Sequence, residues 1–138
     1  MATKGSRTAD CTPAEGRTRL QQAESLLAAA DLVLSDDTDS ASAGVAAALA
    51  VLAGIAASDA ACCAKLRQRT RGRDHTEASK LLRTVLPHGE DMAKDLDRLL
   101  AAKDESHYGV TLVDRAKARR LVGYAKRMTE LAGRVLAA

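Results

Sequence analysis

Apolar residues recur at helical spacing in five stretches of the chain, separated by short polar or Gly/Pro-marked breaks. Met1 to Asp10 is small and polar and reads as a frayed tail, so residues 1–11 are expected to be a flexible lead-in to one domain over residues 12–138. Thr12 caps the first helix, with Pro13 at its first position and Glu15 completing a Thr-x-x-Glu capping box; Leu20, Ala23, Leu27, Ala30 and Leu34 form its apolar stripe. The acidic run from Ser35 to Ser40 ends it, and Asp39 or Ser40 caps a second helix reaching about Arg67. The inner seam of that helix is read as Val45, Leu49, Leu52, Ala56, Asp59, Cys63 and Leu66. A third, short helix turns Ala78, Leu81, Leu82 and Val85 inward and stops at Pro87. A fourth starts near Gly89, carries Met92, Leu96 and Leu99 on one face, and ends near Gly109. The last, Asp114 to Leu136, is strongly amphipathic, with Ala118, Leu121, Val122, Ala125, Met128, Ala132 and Leu136 inward. No strand alternation and no internal repeat are found. The pattern predicts an all-α fold, an antiparallel bundle of four to five helices.

Composition reinforces this. The chain has 138 residues, no Phe, Trp or Asn, one Ile, and abundant Ala and Leu. Strong helix formers therefore dominate and strand formers are scarce. A net charge of +3 is too small to announce a nucleic-acid binder, so the placement of the basic residues matters more than their number. Cys11, Cys62 and Cys63 give no disulfide framework, and no apolar signal-peptide core opens the sequence; a cytoplasmic location is expected. No Cys/His cluster has zinc-ligand spacing and no Gly-rich phosphate loop is present, so neither a metal nor a cofactor is expected. Ala41 to Ala57 is nearly all apolar, but it is Ala-rich and at the lower limit of a membrane span, which favours a helix at the bundle centre.

Three constellations offer chemistry. Lys103 and His107 continue the inner face of the fourth helix beyond Leu99, with Tyr108 alongside; His107 suits proton transfer near neutral pH. The bland alternative is a helix end with a cation that favours the dipole and a Tyr that fills a gap. Arg67, Arg69, Arg71 and Arg73 alternate around Gly72, a spacing that suits phosphate oxygens or else a solvated loop. Arg120, Arg127 and Arg134, flanked by Arg119 and Lys126, line the wet side of the last helix. Asp59 is anomalous on an apolar seam and must find a partner there, with His75, Lys103 and His107 the candidates.

The segments Ala57-Ser58-Asp59-Ala60-Ala61-Cys62, Arg69-Thr70-Arg71-Gly72-Arg73-Asp74-His75, Glu77-Ala78 and Leu99 to Gly109 resemble HEPN proteins of high-GC bacteria. The resemblance covers roughly residues 41–136. It implies an antiparallel helical bundle that dimerises and binds RNA or nucleotide, in many members as a metal-independent ribonuclease of toxin–antitoxin or stress systems, with an antitoxin or nucleotidyltransferase as partner. The family's active motif is an Arg followed some residues later by His, shared across two protomers. Here Lys103 stands in the place of that Arg before His107, with Tyr108 directly after, whereas Arg69 and His75 keep the family spacing in an earlier segment. The site residues so implied are His107, Lys103 and Tyr108 for catalysis, and Arg69, Arg71, Arg73 and His75 for RNA phosphates. The alternative from another class is a non-catalytic helical protein–protein interaction module.

Overall fold

In the computed structural model, residues 8–36, 42–71, 75–108 and 113–138 are described, the side chains of residues 75 and 104–108 excepted. The elements are β1 (Thr8–Asp10), α1 (Pro13–Leu34), α2 (Ser42–Leu66), β2 (Gln68–Thr70), α3 (His75–Arg83), α4 (Gly89–Tyr108) and α5 (Arg115–Ala137). The fold is all-α, with one two-stranded antiparallel ribbon. The long helices α1, α2, α4 and α5 form an antiparallel bundle, and α3 packs on the start of α4.

Local signals place the helix ends. The α1 capping box forms as expected: the Thr12 hydroxyl accepts from the Glu15 N–H at 3.1 Å, and the Thr12 N–H donates to Glu15 Oε1 at 2.9 Å. Asp114 caps α5 by accepting from the Lys117 N–H at 2.7 Å. Beside this cap Arg115 donates to the carbonyls of Leu34 and Asp36, while at the opposite end of α5 the side chain of Lys65 reaches the Ala138 carbonyl. The cap read at Asp39 or Ser40 lies outside the described residues.

Helix α2 is the centre of the bundle. It is long and apolar enough to cross a membrane, yet 67% of its most apolar window is buried against its neighbours. Its buried face differs from the expected seam. Ala46, Ala47, Ala50, Val51, Ala53, Ala56, Ala57, Ala60 and Ala61 are inside, whereas Val45 and Leu52 are 51% and 46% exposed. Small side chains let neighbouring helices come close, so the bundle buries α2 by its alanines and turns the bulkier residues out. Gly16 is part of this contact: a Cβ there would sit 2.9 Å from the Ala60 carbonyl and 3.2 Å from Cys63 Cβ. The larger core side chains come chiefly from α3, the turn after it, α4 and α5: Leu82, Val85, Met92, Leu96, Leu99, Met128 and Val135.

Two further differences concern the chain ends of α2. Residues 8–11, expected in the tail, are ordered, and Gln68–Thr70, expected in a loop, is a strand: Thr8, Ala9 and Asp10 pair with Thr70, Arg69 and Gln68. Arg67 makes the turn between α2 and β2 with φ 56°, the left-handed conformation common just after a helix, and its carbonyl accepts from the Cys11 N–H at 3.0 Å.

One buried carboxylate locks α4 to α5. Asp95 is 2% exposed and accepts two hydrogen bonds from Arg127 (2.7 and 3.0 Å) and one from Arg98 (2.9 Å), with both guanidiniums over the Tyr124 ring. Because the arginines are half in water and the carboxylate is not, the cost of breaking the cluster is asymmetric. Arg127→Ala, which removes two of the three hydrogen bonds and leaves the buried charge to Arg98 alone, is expected to cost about 2 kcal/mol, and Asp95→Asn about 1 kcal/mol. Urea unfolding of the two variants checks the order, and equal losses would contradict it.

Candidate functional site

The sequence-predicted residues converge partly. α2 ends beside β2, and the antiparallel packing of α1 brings Arg19 level with Asp59. The Arg19 guanidinium meets Asp59 Oδ2 through Nε at 3.1 Å and Nη2 at 3.0 Å, and its Nη1 donates to Gln22 Oε1 at 2.6 Å. Asp59 thus has the ionic partner that its position demanded: it is Arg19, forty residues away, which the sequence did not suggest, while the side chains of the candidates His75 and His107 lie outside the described residues. Arg69 on β2 adds a second positive field.

Two adjoining clefts share Asp59 and Arg69. The larger, about 430 Å³, is bounded by Cys11, Glu15, Thr18, Arg19 and Cys63. The smaller, about 200 Å³, has Arg71 and Thr70 on one side and Ile55, Ala78, Leu96 and Leu100 as apolar walls. Its charged lining is two arginines to one carboxylate. α3 is held over this cleft by Arg83, which bridges Glu90 and Asp97 of α4.

Of the other expected residues, Arg73 and the side chains of His75, His107 and Tyr108 lie outside the described residues. Lys103 is half-buried one helical turn beyond Leu100, about 5 Å along α4, and His107 follows about 10 Å beyond Leu100. The basic row of α5 is partly spent on structure: Arg127 serves Asp95, and Lys126 pairs with Asp31 at 3.1 Å.

The structure also contradicts the reading of the cysteines. Cys11 and Cys63 form a disulfide, with Cα atoms 5.4 Å apart and 52 residues of separation. A loop of that length corresponds to about 4 kcal/mol of unfolded-state restriction in the chain-entropy account. Nothing in the sequence pairs these two positions; the contact follows from β1 lying against the end of α2. With a bridge present, the cysteines no longer argue for a reducing compartment. Cys62 is the free thiol, and it is buried as expected. Burial, with the Asp59 charge adding to it, pushes its pKa up to about 12, so it stays protonated and a poor nucleophile beside the bridge. Also unforeseen were Arg19, which carries no local signal, and Asp95, whose spacing from Met92 and Leu99 does place it on the inner face of α4.

Comparisons with family models, with curated proteins and with solved structures return no match.

Burial raises the Asp59 pKa above its ordinary value, and the Arg19 and Arg69 guanidiniums recover only part of the shift. A carboxyl that holds its proton longer when folded stabilises the fold most below its unfolded pKa. That contribution is lost as pH rises through the raised folded value, leaving the ionised group a net cost at neutral pH. Asp59→Asn is therefore expected to be at least as stable as wild type at pH 7, with the difference closing as pH falls below the ordinary carboxyl range. Denaturant melts of both proteins across that window check this; a variant clearly less stable at pH 7 would contradict it.

Proposed function

We infer that the protein is a HEPN-like helical domain that binds RNA or a nucleotide in the cleft between β2, α3 and α4. The observation that carries this reading is the smaller cleft itself. Arg69 and Arg71 offer guanidinium forks on one side and Ile55, Leu96 and Leu100 an apolar wall on the other. That pairing suits a phosphate next to a base. Its volume, below the usual range for drug-sized ligands, suits one inserted nucleotide of a strand rather than a large free molecule. Asp59 supports the reading as well, because a carboxylate kept at a net cost in a cleft is a mark of functional sites.

Lys103 and His107 complete the proposal as charge stabiliser and proton-transfer group, with Tyr108 adjacent, in a ribonuclease of a toxin–antitoxin or stress system. No metal is needed for such chemistry: His107 would take the 2′-hydroxyl proton as that oxygen attacks the phosphorus, the P–O5′ bond breaks, and the 5′-oxygen leaves with a proton from water, giving a 2′,3′-cyclic phosphate. Lys103 supplies charge without the bidentate fork of Arg, which favours binding over cleavage. The cytoplasmic location stands in this reading, since disulfides of cytosolic proteins are commonly redox-responsive.

A second reading, a protein–protein interaction module, is favoured by Val45 and Leu52, exposed apolar residues that form a stripe at helical spacing on α2 with the half-buried Leu49 between them. The two readings meet in a homodimer. Because α4 runs antiparallel to α2, Lys103 and His107 lie level with the part of α2 that bears this stripe. A second copy docked there would bring two such sites together, as the HEPN resemblance implies. An antitoxin or nucleotidyltransferase would be the further partner.

Arg71→Ala is expected to weaken RNA binding by about 1–3 kcal/mol and to flatten its salt dependence by about one phosphate contact. If the chain cleaves RNA, His107→Ala should abolish cleavage and leave affinity nearly intact. Anisotropy titrations over a salt series and gel assays measure both; absence of RNA affinity in wild type would leave the interaction module as the reading. Separately, sedimentation should show a dimer at tens of micromolar, which Leu52→Glu dissociates. A wild-type monomer of about 14.5 kDa would overturn the assembly.

A further inference from the structure

The disulfide has no part in binding RNA as described, yet it stands in the wall of the adjoining cleft, which shares Asp59 and Arg69 with the proposed site. Cys63 is fully buried in α2 and Cys11 is 6% exposed; both line the larger cleft beside Arg19, Asp59 and Arg69. A short mechanical chain runs from the bridge to the cleft. Cys11 follows β1 directly, its N–H donates to the Arg67 carbonyl, and Ala9 of β1 pairs with Arg69 of β2. In this ribbon, β1 is the only partner of β2. A three-residue strand pair is marginal by itself, and residues 8–10 bury no side chain in the core. The covalent tie of this segment to α2 is the Cys11–Cys63 bridge.

We propose that the thiol–disulfide state of Cys11 and Cys63 sets whether Arg69 is held over Asp59, so that oxidation assembles the anion-binding cleft and reduction dismantles it. The regulation of this site rests on the RNA-binding reading above. The reductant is a dithiol, small or protein-borne. Its thiolate attacks the Sγ of Cys11, the more accessible of the two, the S–S bond breaks, and Cys63 leaves as a thiolate that takes up a proton. The second thiol of the reductant then attacks the mixed disulfide and releases Cys11, which is protonated in turn. Two electrons and two protons have passed to the protein, and the reductant ends as its own disulfide. Oxidation by a disulfide reverses the steps. Cys62 does not divert the exchange, because its buried thiol stays protonated.

The test uses the full chain, oxidised and after dithiothreitol. Amide hydrogen exchange is followed over residues 8–11 and 68–71, and a short fluorescent single-stranded RNA is titrated into each form. On reduction, protection in both segments should fall by about tenfold or more, with α2, α4 and α5 still protected. RNA affinity should fall by about tenfold in parallel. Cys11→Ser should match the reduced form and be indifferent to dithiothreitol, and it spares the fully buried Cys63. Unchanged protection on reduction would overturn the proposal, and so would lost protection with unchanged affinity. If neither form binds RNA, the RNA reading fails with its regulation, while the exchange data still decide whether the bridge holds β2.

Discussion

The close approach of α1 to α2 is the constraint on which the rest of the structure depends. A chain with no Phe or Trp has few large side chains to fill space between helices. Its central helix is rich in alanine, so burial is achieved by bringing backbones together instead of by interdigitating bulky groups. Gly16 against Ala60 and Cys63 sets the limit of that approach at the start of α1. Once α1 lies there, Arg19 meets Asp59, Cys11 meets Cys63, and β1 is delivered to β2. The candidate site is thus a by-product of how two small-residue surfaces close.

The sequence disclosed what is local. Capping residues such as Thr12 and Glu15 act on the turn that follows them, so the helix start at Pro13 was legible, as was the amphipathic α5, read as starting at the residue that caps it. Asp59 was legible as an anomaly, because one carboxylate interrupts an otherwise apolar helix. What was not legible is whatever needs two distant segments at once. α2 is apolar nearly all round and therefore carries no phase; the reading that turned Val45 and Leu52 inward followed size, while packing followed smallness. The Arg19 partner and the Cys11–Cys63 bridge have no signature in either segment alone, and neither does the pairing of β1 with β2.

Charge is distributed in a way that separates structural from available cations. Arg83, Arg98, Arg115, Lys126 and Arg127 each serve a carboxylate or a carbonyl within the bundle. Arg69 and Arg71 instead border a cleft whose one carboxylate, Asp59, is already engaged by Arg19. The basic appearance of α5 in sequence therefore overstates its capacity for an anion, and the short segment after α2 understates it.

The most direct test of this account is a chemical-shift map of the isotopically labelled, oxidised protein titrated with a short single-stranded RNA. The account predicts that the backbone amides of Arg69, Thr70 and Arg71 and those around Asp59 and Leu100 shift together as the RNA is added. Shifts confined to the face of α5 that carries Arg119, Arg120 and Arg134, or none at saturating RNA, would contradict it.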